Sequence, residues 1–190
     1  MIIIRSLLIL IFLALFAVTD LRAQVKTEPT PTPPVLGLSI FPSDQTKNSE
    51  AAKFRNAGIT SMIKGNRLEA VGNFSSAIKL DPEYSDAYRR RGAAQSDLGH
   101  HDLAITDFTK AIELTPKETL LYLCRGTEYL LFKKAYEAAI VDFSKGIEVD
   151  PKDMFLYSFR ALAYDKLGKP ELAAVDRKMF IELRNKAFQK

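Results

Sequence analysis

The chain is poor in the residues that carry most protein chemistry: its 190 residues include one cysteine, Cys124, and two histidines, His100 and His101. A single cysteine excludes an intrachain disulfide in any compartment. Nucleophilic catalysis needs a nucleophile beside a base, but both histidines follow Gly99 directly and Cys124 lies in another part of the chain. The sequence also lacks a P-loop for phosphates. We therefore predict a non-enzymatic protein without a cofactor, in which Cys124 is a packing residue.

One short stretch groups residues that could bind a metal ion. It contains Asp97, His100, His101 and Asp102. Adjacent side chains on a turn diverge, and neither a cysteine nor a third histidine completes a ligand set. We therefore expect an exposed polar turn there, with a metal site as the alternative.

A long apolar run is missing as well. The apolar run over residues 7–18 has 12 residues, whereas a helix that spans a membrane needs about 18 or more. Arg5 precedes the run and Ala23 follows it, which is typical of a secretory signal peptide. We predict that residues 1–23 are removed and that the protein is exported, to the periplasm or outside the cell. The alternative is an uncleaved membrane anchor.

Neither sign of charge dominates. The chain has 27 lysines and arginines against 23 aspartates and glutamates, a net charge of +4. The two signs are interleaved, as on a solvated helical surface, whereas a nucleic-acid-binding protein concentrates basic residues on one face. We predict no nucleic-acid partner.

Residues 24–47 form a linker rich in proline and threonine, with the run TEPTPTPP. Proline fixes φ and favours extended neighbours, so the linker is predicted to be semi-rigid. Residues 35–41, VLGLSIF, are more apolar than a linker requires. Two interpretations are open: disorder with casual packing, or a segment that docks on the following domain.

Beyond the linker the sequence repeats itself. Prolines recur at Pro82, Pro116 and Pro151, separated by 34 and 35 residues. Other landmarks keep the same spacing: Ala70, Ala104, Ala139 and Ala173; Phe74, Phe108 and Phe143; Gly58, Gly92 and Gly126, followed by Ala161. A fixed period of this length predicts a protein of stacked helical units.

This pattern resembles the tetratricopeptide repeat, in which a glycine in the first helix is followed by an alanine, a phenylalanine and a closing proline. The resemblance covers residues 48–190. It implies an all-α solenoid of four helix-turn-helix repeats, at about residues 51–84, 85–118, 119–153 and 154–188.

Local signals predict the helix boundaries. Three X-Pro pairs predict helix starts, because each puts a capping oxygen before a proline in the first helical position; the pairs are Asp81-Pro82, Thr115-Pro116 and Asp150-Pro151. Three glycines predict helix ends; they are Gly65, Gly99 and Gly168.

The third and fourth units depart from the pattern. The third has one extra residue and no turn glycine, so we expect a different turn around Lys133 and Lys134. The fourth has Arg177 in place of the phenylalanine and Phe180 where a small residue is expected. A terminal repeat has no successor to pack against, so residues 170–190 are predicted to be a closing helix with a polar outer face.

The resemblance also implies a binding surface, because in this family the first helices line a concave groove that receives a peptide or helix of a partner. Helical rotation gives the candidate groove residues: Arg55, Ile59, Met62, Ile63, Arg89, Leu120, Leu123, Thr127, Leu130, Leu131, Phe155 and Leu162. The alternative is that the leucines among them only complete a face packed inside the stack.

The predicted function is therefore a scaffold that binds a protein or peptide in this groove. Two alternatives are an assembly subunit, packing through the convex face and the terminal helix, and a regulatory subunit of a partner enzyme. Some family members bind an acidic chaperone tail with a set of lysines, asparagines and arginines. Here the matching positions hold Arg55, Ile59, Arg90, Leu120 and Cys124. The asparagines and the basic residues of the third unit are therefore absent, which disfavours that partner. The oligomeric state is left open.

Overall fold

The computed structural model describes residues 46–188. The predicted signal segment, most of the predicted linker and the apolar residues 35–41 lie outside this range. Within it the chain forms eight α-helices and one π-helical segment, and no strand. The helices are α1 (Ser49–Ile63), α2 (Arg67–Leu80), α3 (Ser85–Asp97), α4 (His101–Leu114), α5 (Thr119–Thr127), α6 (Tyr136–Val149), α7 (Met154–Lys166) and α8 (Pro170–Phe188).

The eight helices pack in four consecutive pairs, and each pair also packs on the next. Gly65, Gly99 and Gly168 end α1, α3 and α7 with positive φ angles of 85°, 79° and 68°, which glycine adopts without steric cost. The predicted all-α solenoid and these three helix ends are confirmed. No helix among residues 46–188 is long and apolar enough to cross a membrane.

A glycine and a phenylalanine hold the helices of a pair close together. A Cβ atom added to Gly92 of α3 would lie 2.9 Å from Cε1 of Phe108 in α4. The same contact would be 2.5 Å between Gly126 and Phe143 in the next pair. Real Cβ atoms do not approach a neighbour so closely, so only glycine fits these positions.

The X-Pro pairs do not start helices, and this prediction was wrong. The helices begin three residues after the prolines, at Ser85, Thr119 and Met154. The intervening residues form tight turns, in which the fourth residue donates to the carbonyl of the first; Tyr84 N–H to Asp81 O measures 3.1 Å. Proline suits the second position of such a turn, because its φ is already set.

The extra residue of the third unit is absorbed by the π-helical segment Glu128–Lys133, which continues α5. Lys134 follows in the left-handed region with φ 53°, and the N–H of Ala135 donates to Tyr129 O at 2.9 Å. The unusual turn expected around Lys133 and Lys134 is confirmed.

The four candidate metal ligands each contact a different residue. His101 Nδ1 lies 2.9 Å from the buried Glu128 carboxylate, and its ring stacks on Phe132 with centroids 3.8 Å apart. His100 instead contacts Gln95 at 2.8 Å. Asp97 and Asp102 form ion pairs with Arg67 and Lys133. Within residues 46–188, no group of three or more histidine, cysteine or acidic side chains is arranged to hold a metal ion.

A ladder of arginines joins the repeats, and the sequence analysis missed it. Arg125 of α5 donates two hydrogen bonds to Asp142 of α6, at 2.9 and 2.7 Å, and a third to Thr109 of α4 at 2.9 Å. Each such arginine thus joins the first helix of a pair to the second helix of the same pair and to the second helix of the preceding pair. Two other arginines make the equivalent hydrogen bonds: Arg91 to Asp107 and Ser75, and Arg160 to Asp176 and Ser144.

Candidate functional site

The first helices of the four pairs are called the inner helices and the second helices the outer ones. The inner helices α1, α3, α5 and α7 and the π-helical segment after α5 carry the predicted groove residues, and several of these present apolar surface. Ile63 is the most accessible, at 82% of its full exposure. Leu131, Phe155 and Leu162 are exposed as well. Leu120 and Thr127 are half-buried. These side chains can contact a partner without any change in the packing of the helices.

Leu130 is a correction to the predicted groove. It is buried, and it belongs to the core cluster that contains Phe143 and Leu156. For Leu130 the alternative interpretation, a leucine that completes a packed face, is therefore the right one. Leu123 is half-buried against the same cluster.

Ile59 and Met62 of α1 are also partly committed to packing. Both are half-buried against a core cluster that includes Phe74 and Ala94. Because each of them has only part of its surface accessible, we expect them to form the floor of a groove, with Ile63 as its more prominent apolar residue.

The structure brings three arginines of α1 and α3 together around one buried carboxylate. Asp86 of α3 is completely buried. Arg90 Nε donates to Asp86 Oδ2 at 2.6 Å, and Arg89 forms an ion pair with Oδ1 of the same carboxylate. Arg55 of α1 reaches Asp86 at 3.5 Å and donates to the Tyr84 hydroxyl at 2.8 Å. We call Arg55, Arg89 and Arg90 the arginine cluster.

A second buried carboxylate lies beside the arginine cluster. Besides Asp86, the buried Glu118 carboxylate lies 3.8 Å from Arg89 Nε. Three charged guanidinium groups therefore lie close to two buried carboxylates. The side chains of Arg55, Arg89 and Arg90 keep 20%, 17% and 28% of their surface exposed. Partial burial screens this charge less than full exposure to water would.

The three consecutive arginines of α3 take part in two different sets of contacts. A helix turns by roughly 100° per residue, so Arg89 and Arg90 reach Asp86 one turn earlier in α3, whereas Arg91 faces Asp107 of α4. The predicted groove set contains Arg89 but not Arg90. An acidic residue followed by arginines three and four positions later on a helix could have indicated the cluster.

Cys124 is a residue of α5 and lies beside the arginine cluster. Burial raises the pKa of its thiol to about 11, and nearby Glu118 and Glu128 raise it further while Arg89 lowers it. The thiol is therefore protonated at neutral pH and is a poor nucleophile. This agrees with the interpretation of Cys124 as a packing residue.

Comparison with known sequences supports the repeat pattern. The sequence profile of the tetratricopeptide repeat matches residues 85–118. The chain is 36% identical over 81 residues to the DnaJ homolog subfamily C member 7 homolog of Dictyostelium discoideum, which covers 42% of this chain and 14% of that protein. It is 28% identical over 104 residues to the photosystem I assembly protein Ycf3 of Acaryochloris marina, covering 53% and 61%. The chain thus spans less than two thirds of both relatives.

Solved structures share the fold. A crystal structure of MamA superposes with a TM-score of 0.70 at 24% identity, over 74% of this chain and 81% of MamA. The first tetratricopeptide-repeat domain of Spaghetti (RPAP3), bound to the HSP90 peptide SRMEEVD, superposes with a TM-score of 0.60 at 21% identity, over 63% and 94%. At this level of identity the likeness shows the fold alone.

Proposed function

Because the chain is a tetratricopeptide-repeat protein, we propose that it is a non-enzymatic scaffold that binds a polypeptide segment in the concave groove of its repeats. The observation that carries this proposal is the arginine cluster, three partly exposed guanidinium groups held around one buried carboxylate. Arginines fixed in this way present hydrogen-bond donors in a constant geometry, which favours recognition of carboxylate or carbonyl oxygens.

The neighbouring side chains suggest the character of the partner. Ile63 lies on the same helix as Arg55, and further exposed apolar side chains are Leu131 of the π-helical segment and Phe155 and Leu162 of α7. A segment with an acidic group near one end and apolar side chains beyond it would match both features. The solved RPAP3 domain binds a peptide with acidic residues, which supports a segment of this class. Departures from the chaperone-binding residue set disfavour the same tail as partner.

Selection of a random peptide display library on the immobilised protein tests this proposal. We expect the selected peptides to be enriched in acidic residues or to bind through their carboxyl end, and to bind more weakly at high salt. Arg90→Ala and Leu131→Asp should each weaken their binding by about tenfold or more, as expected for residues at the centre of an interface.

Matched controls lie outside the groove. Arg67, in an exposed ion pair with Asp97, and Leu103, exposed on the outer helix α4, provide Arg67→Ala and Leu103→Asp. Equal loss of peptide binding in the groove and control variants would contradict groove binding. Loss only in the Leu103 variant would instead favour the convex face.

We also propose that the protein is exported after removal of residues 1–23. The reasons are the short apolar run, Arg5 before it and the small residue Ala23 after it, a pattern typical of a signal peptide. The intact mass of the protein recovered from the expressing cell should correspond to a chain that starts at or near Gln24. Full-length protein in the soluble cytosol would contradict export, and full-length protein in the membrane would favour the anchor.

A further inference from the structure

The π-helical segment Glu128–Lys133 begins with a buried carboxylate where other repeats have alanine. The Glu128 residue is only 4% exposed. The second and fourth repeats have Ala94 and Ala163 at this position, and both are completely buried. A buried carboxylate is costly unless hydrogen-bond donors replace its hydration. Because alanine satisfies the packing in two other repeats, the glutamate points to a role besides packing.

Two donors from the preceding pair of helices contact Glu128. Ser96 of α3 donates to Oε1 at 2.5 Å, and Nδ1 of His101 in α4 lies 2.9 Å from Oε2. An ionised carboxylate only accepts hydrogen bonds, so Nδ1 of His101 carries the hydrogen. One side chain thus connects the segment to both helices of the preceding pair.

His101 also contacts the other end of the segment. Its ring stacks on Phe132, with centroids 3.8 Å apart and an angle of 12° between the planes. Lys133 forms an ion pair with Asp102 at 2.7 Å, but both side chains are exposed, and an exposed ion pair contributes little to stability. His101 is therefore the residue through which α4 contacts both ends of the segment.

The backbone of this segment needs such contacts. A π-helical turn is rare, and Lys134 after it is a non-glycine residue with φ 53°, a conformation that costs free energy. The other three repeats have glycine in the corresponding turn, Gly65, Gly99 and Gly168. Leu131 lies within the segment and is 47% exposed. Its position in the groove therefore depends on the contacts that hold the segment.

We propose that His101 is a positioning residue of the groove, because through Glu128 and Phe132 it holds the π-helical segment in place and so fixes the direction of Leu131. This inference rests on the proposed function, in which Leu131 contacts the partner. His101 itself is the first residue of an outer helix. The second repeat thus determines the shape of the groove in the third, and the effect of His101 on binding is indirect.

Amide hydrogen exchange tests whether His101 holds the segment. It is measured by NMR on the full chain, as recovered from the expressing cell and without a peptide. His101→Ala removes both contacts of the ring. We expect the amide of Ala135, which donates to Tyr129 O at 2.9 Å, to exchange about tenfold faster or more, because a hydrogen bond to a charged group is lost. The methyl signals of Leu131 should shift as well.

His100→Ala is the matched control. His100 is the adjacent residue, and its Nδ1 contacts Gln95 within the second pair at 2.8 Å. This variant should therefore leave the exchange of Ala135 and the signals of Leu131 unchanged.

Two substitutions of nearly equal shape distinguish positioning from packing. His101→Asn keeps a donor near the position of Nδ1, whereas His101→Leu keeps only an apolar side chain beside Phe132. We expect Ala135 to exchange more slowly in the asparagine variant than in the leucine variant. The opposite order would show that His101 only fills space, and it would contradict the proposal.

Binding of the peptides selected on the wild-type protein is measured for the same variants. His101→Ala should weaken it by about threefold or more, but less than Leu131→Asp, because His101 lies outside the contact itself. His100→Ala should leave it unchanged. Circular dichroism checks that each variant keeps its helical spectrum, and the asparagine and leucine variants replace His101→Ala if that one unfolds.

Equal exchange of Ala135 in His101→Ala and His100→Ala would overturn the proposal. It would also be overturned if the segment exchanges faster in His101→Ala while the peptides bind as tightly as to the wild type. If no peptide binds the wild type, the proposed function fails, and the exchange rates and the Leu131 signals alone decide whether His101 positions the segment.

Discussion

Replacing Gly126 by leucine is expected to lower the free energy of unfolding by on the order of 1 to 3 kcal/mol or more, because overpacking forces the helices of the third pair apart. Even a bare Cβ atom at this position would lie 2.5 Å from Cε1 of Phe143. Phe143 is completely buried, so its ring has no free space to enter. Urea unfolding followed by far-ultraviolet circular dichroism measures the loss.

Gly72 provides the matched control for this substitution. It lies inside α2 and is exposed, and a Cβ atom there would meet nothing within 4 Å. Gly72→Leu should leave stability unchanged or raise it, because leucine has a higher helix propensity than glycine. If both leucine variants unfold at the same urea concentration, the glycine is not needed for the approach of α5 and α6.

Repetition made the fold predictable, because a side chain that packs between two helices must return at the same place in every unit. Gly92 and Phe108, for example, meet as their spacing indicated. The same reasoning did not predict where the helices begin. The φ of proline suits both the first helical position and the second position of a tight turn, and the sequence around Pro82 contains nothing that decides between them.

The candidate site was only partly predictable, because it depends on rotations that the period does not give. The π-helical segment has a wider turn than an α-helix. It places Leu130 in the core, whereas the rotation per residue of an α-helix placed Leu130 in the predicted groove. The arginine cluster needs α1 to lie beside α3 so that Arg55 and Arg90 reach one carboxylate. That contact is set by the stacking of two repeats and not by either helix alone.

Arg125→Leu is expected to cost about 3 to 5 kcal/mol of stability, because it leaves a buried carboxylate without its countercharge. Asp142 of α6 is buried, and Arg125 of α5 donates two of its three hydrogen bonds to this carboxylate. These bonds raise the pKa of Arg125 above its usual value, so the guanidinium group stays charged in neutral and alkaline solution. Loss of the bond to Thr109 also weakens the junction with the preceding repeat.

Two further variants compare the contribution of the buried arginine ladder to stability with that of an exposed ion pair. Arg67→Leu removes an exposed ion pair with Asp97 at 3.0 Å and should cost only about 0 to 1 kcal/mol. The double variant Arg125→Leu with Asp142→Leu should recover much of the loss, because replacing both partners of a buried pair by apolar residues is often tolerated. Urea unfolding of the three variants gives the comparison. Equal losses for Arg125→Leu and Arg67→Leu would show that the ladder contributes no more than a surface ion pair.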